Sequence, residues 1–514
     1  MVKWQVHNNK GAKLHNRDFY NKIIFSVILL CALFLLFFNL GNQYLWQDEA
    51  ETALVSKTIL TDGIPRATDG TNSFSQLQGR DYGKNNIWIR HTWLPFYVLA
   101  GFYKIFGETT FISRLPFAIF GFGTIVLTYF FAKTVWGRRI SLIVAALLVC
   151  CVPFLLLSRQ CRYYSMVMFF SVLALYSYNL LMNRKKYSGL LLFVSIVMLF
   201  HSQHIYIVII IPAIILHVII FHRGRLKELI FVSAAACLVT IPFFVWLSSM
   251  NFTYAEGNRF INEIAIINAG SRMLIQNIIS NVFPVWIMLA AIIVIYIKYI
   301  KIGRFSSNRF AIWENISLPI FFIVLNFAVI TVFTPFPFFR YMAPSLPLFM
   351  IMAAVIIDGA WKTHKLFAIA AVIFLLSTSR MNDFIYEITH DFDGPIEGIC
   401  KYLNEYGKPD DVVAITYGDM PVKFYTNLRV VGGHTGESLE PAKNARWVIF
   451  RKYFINENDY AVRQFLEQNI NLKNYRRIQL SYPDTTWENR EDITVHFFKT
   501  QTNEDKVVIY ERAD

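Results

Sequence analysis

Apolar residues in this chain gather into long runs, separated by short polar segments rich in lysine and arginine. A run of about twenty apolar residues crosses ~30 Å of hydrocarbon as a helix. In lipid the backbone must satisfy its own hydrogen bonds, so such runs are helical. The first falls at residues 23–40. Later ones fall at 112–132, 139–157, 164–182, 188–203, 205–222, 228–248, 276–298, 315–334, 342–361 and 366–379. Residues 41–111 form a long polar loop with many Gly, Asn, Asp and Gln. Within it, WLPFYVLAGFYKIF (93–106) is apolar but short, which predicts an interfacial or re-entrant helix rather than a span.

Charge placement decides that choice. If 93–106 does not span, five basic clusters share one side: Lys133/Arg138/Arg139, Arg184/Lys185/Lys186, Arg223/Arg225/Lys227, Lys298/Lys301/Arg304/Arg309 and Lys362/Lys365. The N-terminal segment, with Lys3, Lys10, Lys13, Arg17 and Lys22, lies on that side too. By the positive-inside rule the side is cytoplasmic. If 93–106 spanned, all five clusters would face outward. The expected architecture is a polytopic α-helical membrane protein of the cytoplasmic membrane, with about 11 spanning helices and interfacial helices in the first outer loop. Its N-terminus is expected in the cytoplasm and its C-terminus outside. No small-residue cleavage site follows the first run, which therefore reads as an anchor that is retained.

From about residue 380 the apolar runs shorten and charge rises. Val412–Thr416, Trp447–Phe450, Arg477–Leu480, Thr494–Phe498 and Val507–Tyr510 have the pattern of short strands. Gly394–Glu405 and Asp459–Gln468 have that of helices. These features predict a membrane module over 1–380 and a small extracytoplasmic α/β domain over 381–514. No internal repeat or low-complexity segment stands out.

Composition agrees. The 514 residues are 55% hydrophobic, 16% aromatic and only 16% charged, against about a quarter charged in soluble domains. The net charge of +14 is accounted for by cytoplasmic connections and gives no reason to invoke nucleic acid. The six cysteines (Cys31, Cys150, Cys151, Cys161, Cys237 and Cys400) have neither metal-site nor disulfide-framework spacing and read as small core residues.

Candidate chemistry lies at one depth, the outer interface. Trp46-Gln47-Asp48-Glu49-Ala50 follows directly on the first apolar run, with Glu51 just beyond. A carboxylate there can take a proton from a hydroxyl nucleophile. Asp48 and Glu49 together can instead hold a divalent metal ion, the one cofactor the sequence leaves open. They also suit the first turn of an interfacial helix. Basic groups at the same depth are Lys84 and Arg90 with His91, Arg159 and Arg162 with Tyr163, and Arg340 with Tyr341. Arginine is suited to bidentate phosphate binding, and also to snorkelling toward headgroups. His201 and His204 lie at the outer ends of two spans; with His91 and Tyr163 they are candidates for substrate contact, and as a metal pair they are a weak signal. Deep within the helices charge is nearly absent, Asn326 and His217 being the main polar groups and Asp358 lying near an inner end. That argues against an ion transporter or a flippase for a lipid-linked sugar. The FGFG at Phe120–Gly123 lies inside a span, where close helix packing explains it. In the outer domain, TYGDMPVKFYTN (Thr416–Asn427) reads as a strand-to-helix turn with core aromatics, or as a glycan contact.

Several of these segments resemble the C-type glycosyltransferases (GT-C fold), in particular the protein-mannosyltransferase and aminoarabinose-transferase superfamily. The acidic pair after the first helix resembles its first-loop Asp-Glu motif. His91-Thr92-Trp93-Leu94-Pro95-Phe96-Tyr97 resembles its H-x-P-L-x-Y segment, with an altered order. Ser113–Leu148 is similar to its second and third helices. Ser158–Phe170 resembles its R-x-A-R-x-Y turn, with Cys161 where Ala is usual, and Arg340–Phe349 its R-Y-x-x-P-x-x-P re-entry. The resemblance covers about residues 20–380, taken motif by motif.

It implies a glycosyltransferase that uses a polyprenyl-phosphate sugar at the outer leaflet and a glycan, lipid or protein acceptor. By position, Asp48 would be the catalytic carboxylate and Glu49 its support. Arg162 and Arg340, with Tyr341, would hold the donor phosphate, and Lys84 or Arg90 would be the basic residue before the interfacial helix. A ligase for a lipid-linked oligosaccharide is the nearest alternative, and a pyrophosphate-linked donor would distinguish it.

Overall fold

The structure, a computed structural model, describes residues 2–250, 263–282, 288–290, 292–293, 309–334, 336–377, 379–452, 457–485, 493, 495–502 and 504–513. The helices of the membrane module are α1 (Val2–Phe37), α2 (Gln47–Asp62), α3 (Leu94–Phe106), α4 (Thr110–Trp136), α5 (Arg138–Val149), α6 (Val152–Ser158), α7 (Tyr164–Met182), α8 (Ser188–Ser202), α9 (Ile207–Phe221), α10 (Leu226–Ser249), α11 (Ile264–Asn281), α12 (Arg309–Phe333), α13 (Leu346–Thr363) and α14 (Lys365–Ser377). Among the described residues seven helices are long and apolar enough to span a membrane, or nine if each of two bent pairs counts as one. One bent pair is α5 with α6, which turn by 67°. α8 is apolar but shorter. The span expected at 276–298 lies largely outside the described residues. α11 occupies part of what reads in the sequence as an outer loop.

The apolar segment at 93–106 forms α3, 13 residues long. At 1.5 Å per residue it covers about 20 Å, too little to span. Pro95 stands in its first turn and Gly107 ends it. α2 begins at Trp46, whose backbone N–H is met by the Glu49 side chain, and stops at Gly63 in the left-handed region, with φ of 75°.

The two ends of the bundle differ in charge. At one end Arg138 pairs with Asp18 on α1, and Asp358 on α13 pairs with Arg139 at 3.1 Å and Lys362 at 2.6 Å. The start of α2, Arg114 in the first turn of α4, the turn after α6 and the 340s stand at the other end. Arg138, Arg139 and Lys362 are therefore physically separated from the candidate site.

FGFG does serve packing. A Cβ at Gly121 would lie 2.5 Å from Ser158 Cβ, and one at Gly123 3.0 Å from the Phe169 ring. α4 therefore lies close against α6 and α7, which carry Arg159 and Arg162 between them.

After α15 (Met381–Thr389) and α16 (Pro395–Tyr406), the chain forms a five-stranded sheet in the order β2-β1-β3-β5-β4. β1 (Val412–Ile415), β2 (Arg429–Gly432) and β3 (Trp447–Ile449) are parallel; β5 (Lys506–Arg512) and β4 (Tyr475–Pro483) are antiparallel. Buried Ile399, Val413, Ile415, Trp447 and Ile509 make one core face, and α18 (Glu457–Asn469) helps cover the other. β2 is an addition to the strands expected from sequence. Thr494–Phe498 is not a strand among its described residues, and β4 takes β5 as its partner instead.

This domain is fastened to the first outer loop. Between β1 and β2, α17 (Asp419–Tyr425) carries a fully buried Asp419–Lys423 pair at 2.7 Å. Gln47 donates to Asp419 at 2.8 Å, and Lys423 donates to the Ser73 carbonyl at 2.8 Å. The Tyr425 hydroxyl accepts from Leu45 N at 2.8 Å, and Asn72 accepts from Val430 N at 2.8 Å. Thr416–Asn427 is thus a clamp on α2. Because overpacking costs about 1–3 kcal/mol, Gly121→Val is expected to lower the thermal midpoint of the detergent-solubilised protein by several degrees. Scanning fluorimetry against wild type measures it.

Candidate active site

Where α1 ends, the chain must turn back and start α2 with its carboxylates in place. Glu49, with no exposed surface, governs that turn. Arg114 meets it through Nε at 2.8 Å and Nη2 at 2.6 Å, and Cys161 N donates to it at 2.7 Å. The same guanidinium donates to the carbonyls of Leu40, Gln43 and Tyr44. Both oxygens of Glu49 are therefore committed. In this geometry Glu49 anchors the turn that presents Asp48.

Asp48 points the other way. Its side chain is 16% exposed, and Arg162 Nη2 and Arg340 Nη2 each stand 3.7 Å from Oδ2. That is beyond hydrogen-bond distance, so the carboxylate is attracted by two cations without being locked to either. Burial pushes its pKa up, but the charges of Arg162, Arg340 and Arg90 and a hydrogen bond with Gln76 outweigh this and hold it below the ordinary value.

Glu51 lies one helical turn on, on the same face as Asp48. Its Oε1 accepts from Arg162 Nη1 at 2.9 Å and its Oε2 from Gln76 Nε2 at 2.5 Å. Burial, assisted by Asp81 and Asp48 and opposed by Arg162 and Arg90, pushes Glu51 up to about 7. Arg90 pairs with buried Asp81 at 3.0 Å. Asp81 in turn accepts from Gln76 N at 2.6 Å and Leu77 N at 2.8 Å, fixing the turn that presents the Gln76 side chain.

Aromatic and neutral groups complete this side. Arg340 stacks on Phe338, 4.3 Å from the ring centre. The His91 ring lies 5.5 Å from that of Tyr163. Burial, with Arg162 and Arg90 nearby, drives the His91 pKa well below its ordinary value, so the ring is neutral. Tyr341 is close enough to Tyr163, and His204 to His91, to act on it electrostatically. Three buried polar atoms here, His91 Nε2, Tyr164 Oη and Arg162 Nε, have no hydrogen-bond partner among the described residues.

Three sequence candidates belong elsewhere. Lys84 is exposed, and Arg90 is the basic residue that acts on Asp48. Arg159 donates to the carbonyls of Leu35, Phe38 and Asn39 and so caps the end of α1. His201 packs in an aromatic cluster with Phe200 and Phe243. Sequence reasoning gave no role to Arg114, Gln76 or Asp81. Arg114 carried one signal, a charge near the end of an apolar span.

The metal reading of Asp48 and Glu49 does not fit these surroundings. Glu49 is bound to Arg114, and Asp48 faces three guanidinium groups that repel a cation. No cluster of three or more His, Cys, Asp or Glu suited to a metal occurs among the described residues.

Residues 90–247 match the family model of dolichyl-phosphate-mannose-protein mannosyltransferase. The crystal structure of ArnT from Cupriavidus metallidurans bound to undecaprenyl phosphate is similar over 95% of this chain and 98% of its own, at 14% identity and a TM-score of 0.59. Its apo form matches over 94% and 97%, at 14% identity and 0.56. The apo oligosaccharyltransferase of Archaeoglobus fulgidus matches over 91% of this chain and 75% of its own, at 12% identity and 0.51. No curated protein matches the chain.

Replacing Arg114 with Met leaves the Glu49 charge buried without its partner, which costs about 3–5 kcal/mol. Loss of the folded, monodisperse species, or a large drop in its thermal midpoint, is the expected readout. Glu51 gives a pH signature. Its folded pKa of about 7 lies above the ordinary 4.5, so the stability it contributes is full below 4.5 and lost as pH rises through about 7. Glu51→Gln removes this term. The thermal midpoint of the variant relative to wild type is expected to be higher at roughly pH 8 than at roughly pH 5.

Proposed function

We propose that this membrane glycosyltransferase of the GT-C fold transfers one sugar from a polyprenyl-phosphate carrier to an acceptor hydroxyl on the outer face of the cytoplasmic membrane. The observation that carries the reading is the placement of Arg162 and Arg340 3.7 Å from the Asp48 carboxylate, beyond hydrogen-bond distance of it. One carboxylate is left to accept a proton, and the arginines beside it suit a phosphate. The ArnT structure, bound to undecaprenyl phosphate, supports the donor class. The site's position at the end of the bundle opposite Arg139, Asp358 and Lys362 supports the outer face.

In this reading the acceptor oxygen attacks the anomeric carbon from the side away from the phosphate. The bond from that carbon to the phosphate oxygen breaks, and its electron pair stays on the phosphate. Arg162 and Arg340, fixed in place beforehand, oppose the charge that grows there. Asp48 takes the acceptor proton as the new bond forms. The lipid tail holds the donor at this depth and supplies proximity. Direct attack inverts the anomeric centre, whether the sugar is a hexose or a pentose.

The test is transfer of radiolabelled sugar in membranes holding wild type or Asp48→Asn. Loss of a general base is worth about 10²–10⁴-fold in rate, so Asp48→Asn is expected to fall by that factor, with an inverted product from wild type. Equal transfer by the two proteins would remove Asp48 from the chemistry. Transfer from pyrophosphate-linked donors alone would make the protein an oligosaccharide ligase.

A further inference from the structure

Arg162 is held in an uneven way. Its Nη1 alone contacts three oxygens: Glu51 Oε1 at 2.9 Å, the Asp48 carbonyl at 3.0 Å and Thr52 Oγ1 at 3.0 Å. Nη2 stands 3.7 Å from Asp48 Oδ2, and Nε has no partner among the described residues. Its side chain is only 6% exposed. Burying a guanidinium with one donor unmatched is costly, and the uneven arrangement therefore points to a ligand on that side.

We infer that Glu51 is a positioning residue: it grips Nη1 of Arg162 and so turns the Nε–Nη2 edge toward the donor phosphate. That edge offers two parallel N–H groups, the geometry that matches two phosphate oxygens. Glu51 is itself fixed, because Gln76 holds its other oxygen and Asp81 holds the turn that carries Gln76. A second consequence concerns Asp48. Without Glu51 only the neutral Asp48 carbonyl and Thr52 Oγ1 hold Nη1, and the guanidinium is drawn across the 3.7 Å gap to pair with the Asp48 carboxylate, which would occupy the phosphate edge and the base together. Glu51 thus keeps the two working groups of the site apart.

The inference rests on the phosphate role of Arg162 proposed above, and a double-mutant cycle separates the two. Transfer is measured against polyprenyl-phosphate sugar and acceptor concentration for wild type, Glu51→Ala, Arg162→Ala and the double variant. Direct binding of sugar-free polyprenyl monophosphate is measured alongside. Losing a hydrogen bond to a charged group predicts a donor KM raised about tenfold or more in Glu51→Ala. Acceptor KM is expected to be unchanged, and Glu51→Ala to add nothing further in the Arg162→Ala background. If Glu51→Ala does not yield folded protein, Glu51→Gln carries the same test. It keeps one acceptor oxygen, and a donor KM raised only a few-fold is expected, again with no added effect once Arg162 is gone. An unchanged donor KM in Arg162→Ala would overturn the phosphate reading itself. A raised donor KM in Arg162→Ala with none in the Glu51 variants, or additive effects in the double variant, would overturn the role of Glu51 alone.

Discussion

The buried contact between Glu49 and Arg114 is the constraint on which the site depends. A carboxylate with no exposed surface is tolerable only if its charge and lone pairs are matched. Arg114 matches it twice and at the same time gathers the carbonyls of Leu40, Gln43 and Tyr44. Three carbonyls of the turn from α1 into α2 are therefore met by one side chain. Glu49 and Asp48 are neighbours on a helix and point to different faces. Fixing Glu49 inward leaves Asp48 facing the arginines. Two adjacent acids have acquired opposite tasks because one neighbour is a single buried arginine and the other is a loose group of three.

That loose group is electrostatically balanced. Arg90, Arg162 and Arg340 oppose Asp48, Glu51 and Asp81, and His91 is kept neutral by burial and by the same arginines. In a partly dehydrated site such charges interact more strongly than in water. The balance is not one of fully closed pairs. Arg90 is paired with Asp81 and Arg162 with Glu51, yet neither Arg162 nor Arg340 is hydrogen-bonded to the Asp48 carboxylate.

The C-terminal domain belongs to the scaffold of the same site. Asp419 takes Gln47, the residue before Asp48. Lys423 takes the Ser73 carbonyl, and Gln78 N donates to the His434 carbonyl at 2.9 Å. These bonds press on α2 and on the turn carrying Gln76, the two pieces that set the carboxylates. Each is made between a first-loop residue and one more than 300 positions later, as with the separation of 372 for Gln47 and Asp419. The C-terminal domain is therefore tied to α2 and the Gln76 turn, and among the described residues it supplies none of the charged groups around Asp48.

Hydropathy and loop charge were enough to determine the class of the protein, the places of most spans and the short α3. These are local properties: a run is apolar or it is not, and alternation of basic loops fixes which ends coincide. Asp48, Arg162 and Arg340 could be named because each lies in a polar break at the same depth. Choosing Arg90 over Lys84, and separating Arg159 from Arg162, needed the tertiary structure. Two arginines three positions apart on one turn point in different directions, one to the carbonyls ending α1 and one to Glu51. Arg114 gave no clear sign of its role because its partner lies 65 residues earlier, and Gln76 and Asp81 read as ordinary loop residues until the turn brings them onto α2. β2 was hidden because four residues with one exposed end carry too little pattern, and only pairing with β1 makes them a strand. Sequence determined what kind of surface each segment presents; tertiary packing decided which partner each charge meets, because those partners are brought together from distant parts of the chain.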